Sequence, residues 1–198
     1  YQKDGDNIFH TYFGGKVHFP FLNLGASLHQ NIINNYTYYD DFWMMQQINE
    51  ATSVTGISAN YKLKVGSFHL DNDVLWQRSS SEQIRIPTWT TNHAVYLESR
   101  LFKNKLLINA GIDARFLSHF ETQGYSPVIF NFYNSANAVS KEMFAYDVFI
   151  SYKVRLLRGF FRADNINALY NKKGQYQIDK YPLDGFAIRL GFDWMFNN

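Results

Sequence analysis

The chain contains no cysteine, so a disulfide framework is excluded. Many exported proteins manage without one, and the absence leaves the compartment open. No stretch of about 18 apolar residues occurs, which excludes a transmembrane helix. Neither sign of charge dominates: the formal net charge is +2. There is no basic run and no nucleic-acid signature, so no nucleic-acid partner is expected. Helical periodicity is missing throughout. The chain also opens at Tyr1 with neither an initiating methionine nor a signal peptide, which fits a processed or partial sequence.

What is abundant is aromatic. Phe, Trp and Tyr make up 18% of the 198 residues, with 14 Tyr and 18 Phe. Such a share is high for a soluble domain and natural for a barrel with aromatic girdles at both membrane interfaces. Mean hydropathy is slightly negative, at -0.32. A barrel has the same property, because half of each strand is polar.

The segment from Phe186 to Phe196 is the most informative. Phe186, Ile188, Leu190, Phe192, Trp194 and Phe196 are large and apolar, whereas Ala187, Arg189, Gly191, Asp193 and Met195 are small, charged or flexible. Side chains alternate between the faces of a strand, so this one has a greasy face and a polar face. The pattern resembles the closing strand of an outer-membrane β-barrel, and that resemblance implies that Phe192, Trp194 and Phe196 close the barrel and form the element read by the insertion machinery.

Alternation of this kind predicts nine strands, over residues 8–19, 22–38, 50–64, 67–78, 91–102, 105–118, 143–157, 160–170 and 184–196. Short connections centre on Pro20-Phe21, Val65-Gly66, Lys103-Asn104 and Arg158-Gly159, and long ones cover 39–49, 79–90, 119–142 and 171–183. Tight hairpins at the short connections pair Phe19 with Leu22, Leu63 with Phe68, Leu101 with Leu106 and Leu156 with Phe161, apolar with apolar in each case. An even-length turn preserves that match and an odd one breaks it. Short turns at one end and long loops at the other are the periplasmic and extracellular ends of a transmembrane, antiparallel, up-and-down β-barrel. Single-chain bacterial barrels have even strand numbers. The odd count therefore predicts that residues 1–198 are the carboxy-terminal part of one barrel domain whose amino-terminal strands lie upstream.

A soluble β-sandwich or a lipocalin-like barrel is the competing architecture. Its strands would be shorter, about 5–6 residues, and its outer face richer in Lys and Glu.

Several motifs in order resemble the putative-porin family found in outer membranes of Bacteroidetes. They are Leu70-Asp71-Asn72-Asp73-Val74-Leu75-Trp76-Gln77 followed by Ile86-Pro87, Leu101-Phe102-Lys103-Asn104-Lys105-Leu106 and Gly111-Ile112-Asp113-Ala114-Arg115-Phe116. Gly124-Tyr125-Ser126-Pro127, Phe160-Phe161-Arg162-Ala163-Asp164-Asn165-Ile166-Asn167 and Tyr181-Pro182 complete the series. The resemblance runs from about residue 22 onward and implies an outer-membrane barrel with no established substrate. The Asn-Ile-Asn and Tyr-Pro elements with the aromatic end also resemble the end of TonB-dependent receptors.

Polar-face parity nominates Arg100, Arg115, Arg155, Arg162 and Arg189, with Asp113, Asp164 and Asp193, as lumen groups that set selectivity. Opposed charges could instead pair and fill the lumen. Registry places Lys153 beside Asp164 and Arg155 beside Arg162. The six histidines lack metal-site spacing, and no Ser-His-carboxylate motif is apparent, so the expectation is no metal, no cofactor and no enzyme. Passive diffusion of small hydrophilic solutes is the leading function. An accessory barrel in an envelope complex, docking other outer-membrane proteins through loop 119–142, and the barrel of a TonB-dependent transporter are the alternatives. The expected surroundings are outer-membrane lipid and the barrel-assembly machinery.

Overall fold

In the computed structural model, residues 6–136, 142–170 and 176–196 are described. Residues 137–141 and 171–175 of the two longest expected loops therefore lie outside the described residues. The strands are β1 (Phe9–Phe19), β2 (Leu24–Asn34), β3 (Tyr36–Tyr39), β4 (Met45–Ile48), β5 (Thr52–Val65), β6 (Phe68–Ser79), β7 (Trp89–Leu101) and β8 (Leu106–Leu117). They continue with β9 (Gln123–Ser126), β10 (Asn131–Tyr133), β11 (Met143–Val154), β12 (Leu157–Asp164), β13 (Tyr176–Asp179), β14 (Tyr181–Pro182) and β15 (Ala187–Trp194). Among the described residues helix is confined to two 3-10 turns, Pro20–Leu22 and Ile166–Leu169. No helix among the described residues is long and apolar enough to cross a membrane.

Nine strands form one sheet in the order β1-β2-β5-β6-β7-β8-β11-β12-β15, which is sequence order with the loop strands omitted. Every neighbouring pair is antiparallel. The sheet is open, with β1 and β15 at its edges. Nine strands are therefore present as an up-and-down sheet, eight to fourteen residues long, but the eighth, expected over 160–170, runs Leu157–Asp164 and gives way to the 3-10 turn Ile166–Leu169.

Three hairpin registers differ from expectation. Leu101 pairs with Leu106 as expected, but Phe19 pairs with Leu24, Leu63 with Leu70, and Phe161 with Ile150. The turns span two or four residues, so apolar still meets apolar. The last shift has a clear cause. The chain reverses at Arg155-Leu156, between the paired Val154 and Leu157, and not at Arg158-Gly159. Gly159 lies within β12 opposite Tyr152, where a Cβ would meet the tyrosine ring. Its small size makes room for an aromatic instead of making a bend. The second expected strand, 22–38, is interrupted at Asn35, which takes a left-handed φ of 58° and starts the separate β3–β4 hairpin.

The register carries one parity through all nine strands. Phe68, Leu97, Ala110, Ile150, Phe161 and Leu190 share a face, as do Phe192 and Trp194. That face stays open: Leu190 is 75% and Phe192 80% exposed, and Met143 at 3% is the buried hydrophobic residue among those described. A soluble sandwich would cover this face with a second layer. Here the apolar side chains meet none.

Above the long-loop end, β9 pairs antiparallel with β10 and parallel with β13, and β13 pairs with β14. Residues 119–136 thus pack against neighbouring loops. Arg85 ties it down, donating from Nη1 to the carbonyls of Thr122 (2.8 Å) and Ser135 (2.9 Å). Asn134 donates to the Gln83 carbonyl at 2.9 Å and from its backbone to Tyr39 at 2.8 Å.

Candidate functional site

The polar face concentrates its charge where β8, β11, β12 and β15 run side by side. Asp113 and Asp147 are direct cross-strand partners, as are Arg162 and Arg189. Two like-charged pairs set opposite one another would repel. The side chains resolve this by alternating in sign. Arg115 and Arg162 both donate to Asp147 Oδ2, at 2.5 and 2.6 Å. Arg162 also donates from Nε to Asp164 Oδ1 at 2.6 Å and lies 3.0 Å from Asp113. Arg189 Nε stands 2.7 Å from the other oxygen of Asp164. Three guanidiniums and three carboxylates thus form one chain of ion pairs with no net charge.

Asp147 is its keystone. It is fully buried and also accepts the backbone N–H of Asn165 at 2.7 Å. That contact depends on how β12 ends. After Asp164 the backbone turns through Asn165 (φ 51°) into the short 3-10 turn, and Asn167 takes over the strand's pairing duty. Its side chain donates to the Phe144 carbonyl (2.6 Å) and accepts from the Tyr146 N–H (3.0 Å). Beside the network opens a cavity of about 680 Å³, walled on the strand side by Asn92, Arg115, Phe160, Arg162 and Arg189 and on the loop side by Gln177 and Asp184.

Elsewhere on this face the ion pairs are longer, Lys62–Asp71 at 3.7 Å and Lys64–Glu98 at 3.5 Å. Exposed pairs of that length contribute under about 1 kcal/mol. Among the described residues, no group of three or more His, Asp or Glu could hold a metal ion.

A family model described as "Putative porin" matches residues 1–198. The chain belongs to the putative-porin family. Among solved structures it is similar to the FrpB iron transporter from Neisseria meningitidis (F3-3 variant), with 16% identity and a TM-score of 0.59. The match covers 93% of this chain and 30% of that one, so the chain spans under a third of the transporter's length. That likeness is one of fold. No curated protein matches the chain.

Within this porin-family sheet, five of the nominated groups come together: Asp113, Arg115, Arg162, Asp164 and Arg189. Three others stand apart. Arg155 is no strand residue, but half of the β11–β12 turn with φ 52°. Its expected partner Arg162 pairs instead with Phe149 and Arg189. Arg100 keeps the polar parity but sits one residue from the turn end of β7. Asp193 faces Arg158 near the turn end of β15, and Lys153 also faces Arg158, not Asp164. Of the aromatic trio, Phe192 and Trp194 lie on the apolar face of β15, while Phe196, expected within the strand, lies beyond its end and stacks on Trp194 at 5.2 Å.

Asp147 and Arg85 are the residues that nomination passed over. Parity alone puts Asp147 on the polar face, but its burial comes from the Asn165 turn, which no pattern of apolar residues announces. Arg85 lies between Ile84 and Ile86 in a loop, and the carbonyls it holds come from about 40 to 50 residues away.

Proposed function

We propose that this chain forms part of the wall of an outer-membrane β-barrel that lets small hydrophilic solutes diffuse passively. One observation carries the reading: a single parity runs through nine antiparallel strands, leaving a continuous exposed apolar face opposite a charged one. In water the apolar face is a liability, and in a bilayer it is what the surrounding hydrocarbon requires. Membership of the putative-porin family supports the same location. Lipid and the barrel-assembly machinery are then its surroundings, the turns after β1, β5, β7 and β11 are periplasmic, and the loop strands are extracellular.

Full-length protein reconstituted into a planar bilayer should show ohmic conductance. Arg189→Glu should move its reversal potential toward cation preference under a salt gradient, because that side chain stands partly free of the network. Absence of any conductance would overturn the diffusion pore.

A second reading is favoured by the fold neighbour, which is an iron transporter of which this chain spans 30%. On that reading the nine strands are one arc of an energy-coupled transporter with a plugged lumen. A full-length sequence carrying an amino-terminal plug domain and about 22 strands would decide for it.

A further inference from the structure

The charge network is neutral in sum but not in presentation. Its carboxylates are recessed: the side chain of Asp147 is 0% exposed, that of Asp164 13% and that of Asp113 25%. Two of its guanidiniums project, Arg115 at 55% and Arg189 at 62%, while Arg162 at 33% lies between them. Among the described residues, each projecting arginine engages a carboxylate through one nitrogen, Nη2 in Arg115 and Nε in Arg189. The remaining N–H groups of each are left to the cavity they both line.

An arginine presents five donors in a planar fork suited to carboxylate and phosphate. Arg115 stands on β8 and Arg189 on β15, three strand spacings apart, and the register sets Arg189 level with Gly111, four residues from Arg115 along the strand, so their backbones are about 20 Å apart. Asp147 on β11 and Asp164 on β12, the two strands between, draw the side chains toward one another, and one small anion can bridge their tips. Asn92 and Gln177 offer amide groups around it, Phe160 adds an apolar surface, and Asp184 contributes a carboxylate on the loop side. The buried acids hold the arginines in place without cancelling the field at their tips.

We infer that this cavity is a recognition site for the anionic group, carboxylate or phosphate, of a small polar solute held between Arg115 and Arg189. The inference deepens the pore reading, on which it rests for a water-filled polar face, and it makes the solute class anionic.

The test is isothermal titration of detergent-purified full-length protein with succinate, with inorganic phosphate and with glucose as the uncharged control. Saturable binding of succinate or phosphate is expected, the tighter of the two naming the group recognised, with none for glucose. Losing one charged hydrogen-bond donor should weaken that binding about tenfold or more in Arg189→Gln. Arg189→Lys should restore part of it, and Arg158→Gln, at the turn end of the same face, should leave it unchanged. Arg115→Gln should act like Arg189→Gln wherever circular dichroism shows the β-structure intact. No saturable anion binding, or equal binding by wild type and Arg189→Gln, overturns the inference. Conductance without anion binding does so while leaving the pore standing. Anion binding without conductance upholds the site and removes the diffusion pore instead.

Discussion

A single carboxylate organises the charged region of this protein. Asp147 accepts from two arginines and one backbone N–H, and none of its surface reaches solvent. Removing it takes the acid from half-exposed Arg115 and the acceptor from the Asn165 N–H, while Arg162 keeps Asp113 and Asp164, and the loss costs about 1–3 kcal/mol. Asp147→Ala should therefore lower the unfolding free energy by about that amount in denaturant titrations of the folded protein. Asp193→Ala, on the same face but outside the network, should change it by about 0.5 kcal/mol or less. A second carboxylate governs a loop. Desolvation pushes the Asp40 carboxyl up, but hydrogen bonds from the Met44 N–H, the Gln46 side chain and the Phe42 N–H outweigh it and hold it below its ordinary value of 3.8. A depressed folded-state pKa contributes stability that is present above the unfolded value and is lost as pH falls through the folded one. The protection of β3–β4 amides, corrected for their intrinsic exchange rates, should thus fall below about pH 4, and Asp40→Asn should abolish that pH step. These roles differ in legibility. The face of Asp147 follows from alternation, yet its burial follows from a turn eighteen residues away.

Strands were the most legible elements because period-2 alternation is a property of each strand alone. Their ends were less so. Glycine signals either a bend or a close approach, and the sequence shows only that the side chain is missing. Gly159 proved to be a seat for Tyr152, and the bend fell to Arg155, whose positive φ no propensity favours. Gly111 is a stricter case of close approach. A Cβ there would meet the backbone of Val95 and Tyr96 on β7, and backbone cannot swing aside as a ring can. Gly111→Ala should push β7 and β8 apart and cost about 1–3 kcal/mol, the range for overpacking. Gly15 supplies the control, since a Cβ on this residue of β1 meets nothing within 4 Å. Equal stabilities for Gly111→Ala and Gly15→Ala in the same unfolding assay would show that the two strands can part freely. The loop sheet was illegible for a different reason. Its strands are two to four residues long, too short for alternation to register, and Arg85 holds neighbouring segments together through carbonyl groups that carry no sequence signature.

At the scale of the molecule, the direction of the edges constrains how the sheet can close. Nine antiparallel strands leave β1 and β15 running the same way, both from the long-loop end to the short-turn end. Joined directly, they would make a parallel pair in an otherwise antiparallel sheet. Closure with antiparallel pairs throughout requires an odd number of further strands between them. Until such closure β15 presents a bare row of backbone groups, which hydrocarbon does not tolerate. On the proposed reading its apolar residues face lipid, and the penalty for a charge there should depend on depth. Lysine on the lipid face costs about 2–4 kcal/mol at the bilayer midplane and about 0–1 near the interface. Leu190 lies near the middle of β15 and Trp194 at its end, so Leu190→Lys should reduce the yield of folded, membrane-inserted protein more than Trp194→Lys. Ser151→Lys, on the polar face of β11 opposite Phe160, should leave the yield near wild type. Folded yield in outer-membrane fractions measures all three. If Ser151→Lys proves the most damaging, the two faces have been assigned to the wrong solvents. If all three assemble equally well, the apolar face does not meet lipid, and the membrane reading falls with it.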